Sequence, residues 1–138
     1  RLARKYDLTA NTIIVDKYIP DSEKHYYFYA ADALLLSYHR GYSQQSGNLL
    51  DASRYGLPAI ASDDEQIGEW VKSRNMGLVF TEDSQSLRQT ITTFTNLSDA
   101  RRQEMKSCML DFGSAERSWE QMKKGYLDLY RSLVKETK

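Results

Sequence analysis

A single cysteine, Cys108, stands in a chain of 138 residues, so no internal disulfide can form and no cysteine-based zinc site can be assembled. Such sparing use fits a reducing compartment. No apolar run approaches the ~20 residues that span a bilayer, and the N-terminus lacks the pattern of a signal peptide. Net charge is also missing. The 19 Lys and Arg balance the 19 Asp and Glu, and the basic residues are scattered, which leaves no broad positive field for nucleic acid. A local anion site remains open. The sequence has neither an acidic metal pocket nor a glycine-rich phosphate loop after its first apolar run, and this argues against a flavodoxin-like receiver or nucleotide module. No repeat or low-complexity linker divides the chain, so residues 1–138 read as one domain, long enough to bury a core. The opening Arg1-Leu2-Ala3-Arg4, without methionine, reads as the start of a fragment.

The stretch that organises the rest runs from Ala33 to Asp63. Ala33 to Leu36 has strand length and ends in a polar loop, Tyr38 to Gln45. Ser46 and Gly47 then open a helical pattern in which Leu49, Leu50, Ser53 and Tyr55 fall on and around one face before Gly56 stops it. A second apolar run, Pro58 to Ala61, follows at once. Strand, loop, helix, strand with short connections closes into a parallel pair, and Tyr38 to Asn48 then lie at the carboxyl edge of the sheet, where ligands of open parallel sheets bind. This reading keeps Ala33 to Leu36 away from the sheet's own edge and parallel to Pro58 to Ala61.

Either side of that unit the pattern alternates. Thr12 to Ile19, rich in β-branched residues, reads as a strand ended by Pro20. A helix from Glu23 to Ala31, capped by Asp21 or Ser22, carries Tyr26, Tyr27, Phe28 and Tyr29, which read as core and interface packing, while His25 reads as surface. Glu65 to Asn75 is helical, with acidic residues early and basic ones late. Met76 to Phe80 is a strand, Thr81 to Ser84 a capping turn, and Leu87, Ile91, Phe94 and Leu97 a helical stripe. Ser98 or Asp99 caps a helix that Gly113 ends. The last helix, from about Ala115 to Lys135, sets Trp119, Met122, Tyr126, Leu129, Tyr130 and Leu133 on one side. The fold class is therefore α/β, a Rossmann-like parallel sheet flanked by helices, with terminal helices over residues 98–138. Four strands are few for a doubly wound domain, and an absent N-terminal βαβ portion would account for it.

Several of these stretches carry a family resemblance: Tyr29-Ala30-Ala31-Asp32, Leu49-Leu50-Asp51-Ala52, Gly56-Leu57-Pro58-Ala59-Ile60-Ala61-Ser62, Ile67-Gly68-Glu69-Trp70-Val71, Gly77-Leu78-Val79-Phe80, and Trp119 with Leu129-Tyr130. In order and spacing they resemble the C-terminal, donor-binding half of GT-B fold glycosyltransferases, closest in pattern to retaining family four (glycosyl transferases group 1). The resemblance implies the donor-binding part of an enzyme that moves a sugar from a nucleotide-diphosphate donor to an acceptor. It implies no cofactor and no metal, and a partner domain, N-terminal to this one, that holds the acceptor and most catalytic groups. The family's phosphate-clamping Arg and Lys lie upstream of Arg1, so this chain alone should be half an active site. A cytoplasmic location follows, with peripheral membrane attachment of the parent left open.

Physical chemistry assigns the parts of such a site. A helix N-terminus offers free N–H groups and a positive dipole end to a diphosphate. Ser46, Gly47 and Asn48 stand there: Gly47 lets a phosphate approach the backbone and Ser46 offers a hydroxyl. Asp51, one turn on, can accept both hydroxyls of a ribose, as the second glutamate of the family's paired motif does. Eight residues before Asp51 stands Ser43, where the family has its first glutamate, and Gln44, Gln45 and Ser46 replace the Gly-Phe-Gly that follows. No catalytic residue is assigned for that reason, although Ser43, Gln44 and Gln45 still offer hydroxyl and amide groups to a donor sugar. His39, Arg40 and Tyr42 are possible loop contacts. Plainer readings stand beside these. Asp51 is an ordinary solvated helix residue, Ser46-Gly47 only a cap, His39 and Arg40 only surface, Cys108 an inert buried thiol, and the whole a scaffold or binding domain that has lost the donor site. The terminal helix bears an apolar stripe wider than one neighbouring helix covers, which implies exposed residues and self-association.

Overall fold

Three short apolar runs become strands: β1 (Leu34–Leu36), β2 (Ala59–Ser62) and β3 (Gly77–Phe80). In the computed structural model, which describes residues 5, 7–39, 46–63, 66–116 and 118–136, they form one sheet in the order β1-β2-β3 with both pairs parallel. Leu34 lies opposite Ala59, and Ala59 in turn opposite Gly77. Parallel neighbours need a crossover, and each is a helix: α2 (Gly47–Arg54) joins β1 to β2, and α3 (Ile67–Ser73) joins β2 to β3. Helix α1 (Asp21–Ala30) precedes the sheet. Helices α4 (Ser84–Thr95), α5 (Asp99–Asp111) and α6 (Trp119–Glu136) follow it, with a π-helical turn at Phe112–Glu116. The chain is thus α/β, a parallel sheet flanked by helices, consistent with a Rossmann-like arrangement.

Alternation along the strands divides the core between the two faces. Leu36, Ala59 and Ala61 meet Leu49 and Ala52 of α2, Ile67 and Val71 of α3, and Met109 and Phe112. Ile60 and Phe80 meet Phe94 of α4 and Met105 of α5. Leu49, Ile67, Met105 and Met109 are fully buried, each stabilising the fold by about 1.5–3 kcal/mol. Two glycines are demanded by the backbone. Gly56 follows α2 with φ +64°, and the bonds Gly56 N–H to Ser53 O (3.2 Å) and Leu57 N–H to Ala52 O (3.0 Å) close the helix end. Gly77 lets β3 reach β2, since a Cβ there would lie 2.7 Å from the Ala59 carbonyl carbon.

The caps follow the sequence in α2, α4 and α5, where Ser46, Asp83 and Ser98 each accept a backbone N–H from the first turn. Elsewhere the structure corrects it. Thr12 to Ile19 forms no strand: Ile13 is 93% exposed, and β-branched residues make a strand only where a neighbour offers a ladder and a face to bury. With no strand there, β1 is an edge strand among the described residues, not an inner one, and Leu35 is 50% exposed. Helix α1 has no side-chain cap, because its N-cap residue is Pro20, whose side chain has no acceptor; Asp21 is already inside the helix and its carboxylate pairs with Lys24 at 2.8 Å. It buries no residue; Tyr26, Tyr27 and Tyr29 are exposed, and only Phe28 turns inward, stacked on Tyr55 with ring centroids 5.0 Å apart. His25 is half-buried against Tyr26. Gly113 does not end α5 but sits inside the π turn against Ser53, where a Cβ would come 2.5 Å from Ser53 Oγ. All six apolar side chains named on the last helix are exposed.

Candidate functional site

At the carboxyl edge the exit of β1 is tied to its neighbours through Tyr38. Its backbone N–H donates to Ser62 Oγ at the end of β2 (3.0 Å), and its phenol oxygen lies 3.0 Å from Ser46 Oγ. Ser46 is buried and caps α2 by accepting the Leu49 N–H at 3.2 Å. Its hydroxyl is therefore engaged within the protein. Gly47 is different: it is exposed, and a Cβ built there meets nothing within 4 Å among the described residues.

One turn further along α2, Asp51 is two-thirds covered and paired on both oxygens. Lys24 Nζ donates to Oδ2 at 3.4 Å, and Arg54 Nη1 lies 3.6 Å from Oδ1. Lys24 reaches across from α1, where it also holds Asp21. The Asp21 carboxylate, and after it Asp51, raises the Lys24 ammonium above its ordinary 10.5; Lys24 in turn lowers Asp21 below 3.8. Lys24, Asn48 and Asp51 form the polar wall of a cavity of about 240 Å³ whose apolar wall is Ile19, Tyr27 and Phe28. A carboxylate accepts only, an ammonium donates only, and an amide does both. Together with an aromatic wall they suit a ligand that has a flat apolar part and a hydroxyl-bearing part.

His39 is exposed and belongs elsewhere. It lines a larger cavity, about 430 Å³, between the ends of β1 and β3, with Tyr38, Phe80, Glu82 and Asp83. Asp83 there is committed to the start of α4. It accepts the Ser86 N–H and the Thr81 hydroxyl, both at 2.7 Å, and these bonds, Thr81 first, hold its carboxyl below 3.8. The structure thus brings Asn48 and Asp51 to one cavity, sends His39 to another, and leaves Gly47 on open surface. Arg40, Tyr42, Ser43, Gln44 and Gln45 lie outside the described residues. Cys108, half-buried in α5, packs against the core that holds Met109 and Phe112. Among the described residues no group of three or more His, Cys, Asp or Glu is placed to hold a metal ion, and no helix is long and apolar enough to cross a membrane.

Sequence reasoning missed Lys24, Tyr27 and Ile19 as members of the site. An Asp21-Lys24 pair at i,i+3 was visible, but nothing in the sequence places residue 24 beside residue 51. Comparison with known protein families, with characterised proteins and with solved structures finds no match for this chain.

Proposed function

We propose that this chain is the nucleotide-sugar-binding part of a GT-B glycosyltransferase, taking a nucleotide-diphosphate sugar for transfer to an acceptor held by a domain N-terminal to it. The observation that carries this reading is the cavity at Asp51. It lies between α1 and the first turns of α2, the helix that follows β1, with a carboxylate for ribose hydroxyls and an aromatic wall for a base. Gly47, exposed at the first position of α2, stands where a diphosphate would meet the helix dipole. Ser43, in place of a glutamate beside the donor sugar, and an acceptor held by another domain make turnover by residues 1–138 alone not expected.

A scaffold or binding domain without donor chemistry is the second reading. It is favoured by Asp51, whose oxygens are both paired, and by Ser46, whose hydroxyl is spent on the cap. Thermal-shift and saturation-transfer measurements with UDP-, GDP- and ADP-sugars separate the two. Binding of one nucleotide class supports the donor site, and silence across the panel supports the scaffold.

A further inference from the structure

Lys24 has no part in the resemblance, yet it is placed where ligand choice is made. Its ammonium spans two helices, 2.8 Å from Asp21 Oδ1 on α1 and 3.4 Å from Asp51 Oδ2 on α2. Together with Asp51 and Asn48 it forms the polar side of the cavity of about 240 Å³. It is about one-third exposed, so it also faces solvent and whatever enters. An unpaired Asp51 would repel a phosphorylated ligand; with Lys24 at Oδ2 and Arg54 at Oδ1 its charge is offset, and it keeps lone pairs for hydroxyls. Its pairing with two carboxylates keeps Lys24 protonated throughout the neutral range.

We infer that Lys24 is the specificity-determining residue of this cavity: it positions the Asp51 carboxylate and supplies the cation that makes the site prefer a phosphorylated nucleoside over the bare nucleoside. The inference rests on the nucleotide reading of the Asp51 cavity. A ligand phosphate then lies against the Lys24 ammonium beside Asn48 in the first turn of α2, and the base lies against Tyr27 and Phe28. Lys24 is not asked to do chemistry.

The test is titration of the 138-residue chain with UDP, GDP and ADP and with uridine, guanosine and adenosine, in wild type, Lys24→Gln, Lys24→Arg and Asp51→Asn. Wild type should bind one diphosphate at least about tenfold more tightly than its nucleoside, the scale of one charge-assisted hydrogen bond. Lys24→Gln should bring that ratio close to one by weakening diphosphate binding far more than nucleoside binding, and flatten the salt dependence of diphosphate binding; Lys24→Arg should restore the ratio. Equal losses for diphosphate and nucleoside, or an unchanged ratio, overturn the role of Lys24. If Asp51→Asn binds nucleoside like wild type while Lys24→Gln still erases the preference, the ribose role of Asp51 falls and Lys24 stands. No binding of any diphosphate by wild type overturns both.

Discussion

A carboxylate that already holds a lysine and an arginine can be lost from the fold at little cost, since partly exposed ion pairs contribute about 0–1 kcal/mol. Removal of Asp51 should therefore separate binding from stability. Asp51→Ala is expected to weaken nucleotide binding by about 1.5–3 kcal/mol while urea unfolding barely moves. Gly77 makes the opposite case. A methyl group at 77 would press into the Ala59 carbonyl, backbone against which nothing flexible can give. Gly77→Ala should cost about 3 kcal/mol or more in the same unfolding measurement, with β2 and β3 forced apart. Asp83 adds a pH dependence. Its folded carboxyl titrates below the 3.8 of a free aspartate, held down by the Thr81 hydroxyl and Ser86 N–H, so the unfolded chain binds its proton more tightly. The stability it contributes is complete above the unfolded value and is lost as pH falls through the folded one. Asp83→Asn should thus trail wild type most at neutral pH, and the gap should close below about pH 4; denaturant titrations at pH 7, 5 and 3 would show it.

Helix α6 ends the described chain with Trp119, Met122, Tyr126, Leu129, Tyr130 and Leu133 in the open, Tyr126 59% exposed. A stripe of that length on one helix is a surface of the kind partners cover. Light scattering on the isolated chain should give a mass that rises with concentration above 16.0 kDa, and Tyr126→Glu with Leu129→Glu should hold it at the monomer value without lowering the melting temperature. A wild-type chain that stays monomeric at high concentration would mean the stripe has no affinity for itself. How far each element was legible depended on where its signal lay. Ser46, Asp83 and Ser98 write their helix starts into adjacent residues, and Gly56 writes its helix end the same way, because capping bonds span only three to five positions. Thr12 to Ile19 misled, since propensity records what a segment suits and not whether a partner strand is there. Gly113 misled for a related reason: its want of a side chain serves a contact with Ser53, a long-range fact that local pattern reads as a stop. The candidate site divided in the same way. Asn48 and Asp51 were readable from their place on α2, whereas Lys24 enters across a tertiary gap and His39 departs across another.

Taken whole, the molecule hangs on a strand of four residues, Ala59–Ser62, all buried and paired to β3, with Ala59, Ile60 and Ala61 paired to β1 as well. Each of its ladders joins segments separated by an entire crossover helix, α2 for β1 and α3 for β3, so both pairings are non-local. The asymmetry of the sheet has a counterpart in time. Hydrogen exchange at β2 should need the opening of both ladders and report the global unfolding free energy, while β1, with one neighbour and a half-exposed Leu35, should exchange by fraying well before it. Exchange followed by mass spectrometry would order the protection as β2, then β3, then β1, with α6 least protected. If the segment that follows β1 faces a ligand, as proposed above, its anchor is the first strand to let go. Ligand capture there should then slow the exchange of β1 far more than that of β2, making the outer strand the clock on which occupancy is read.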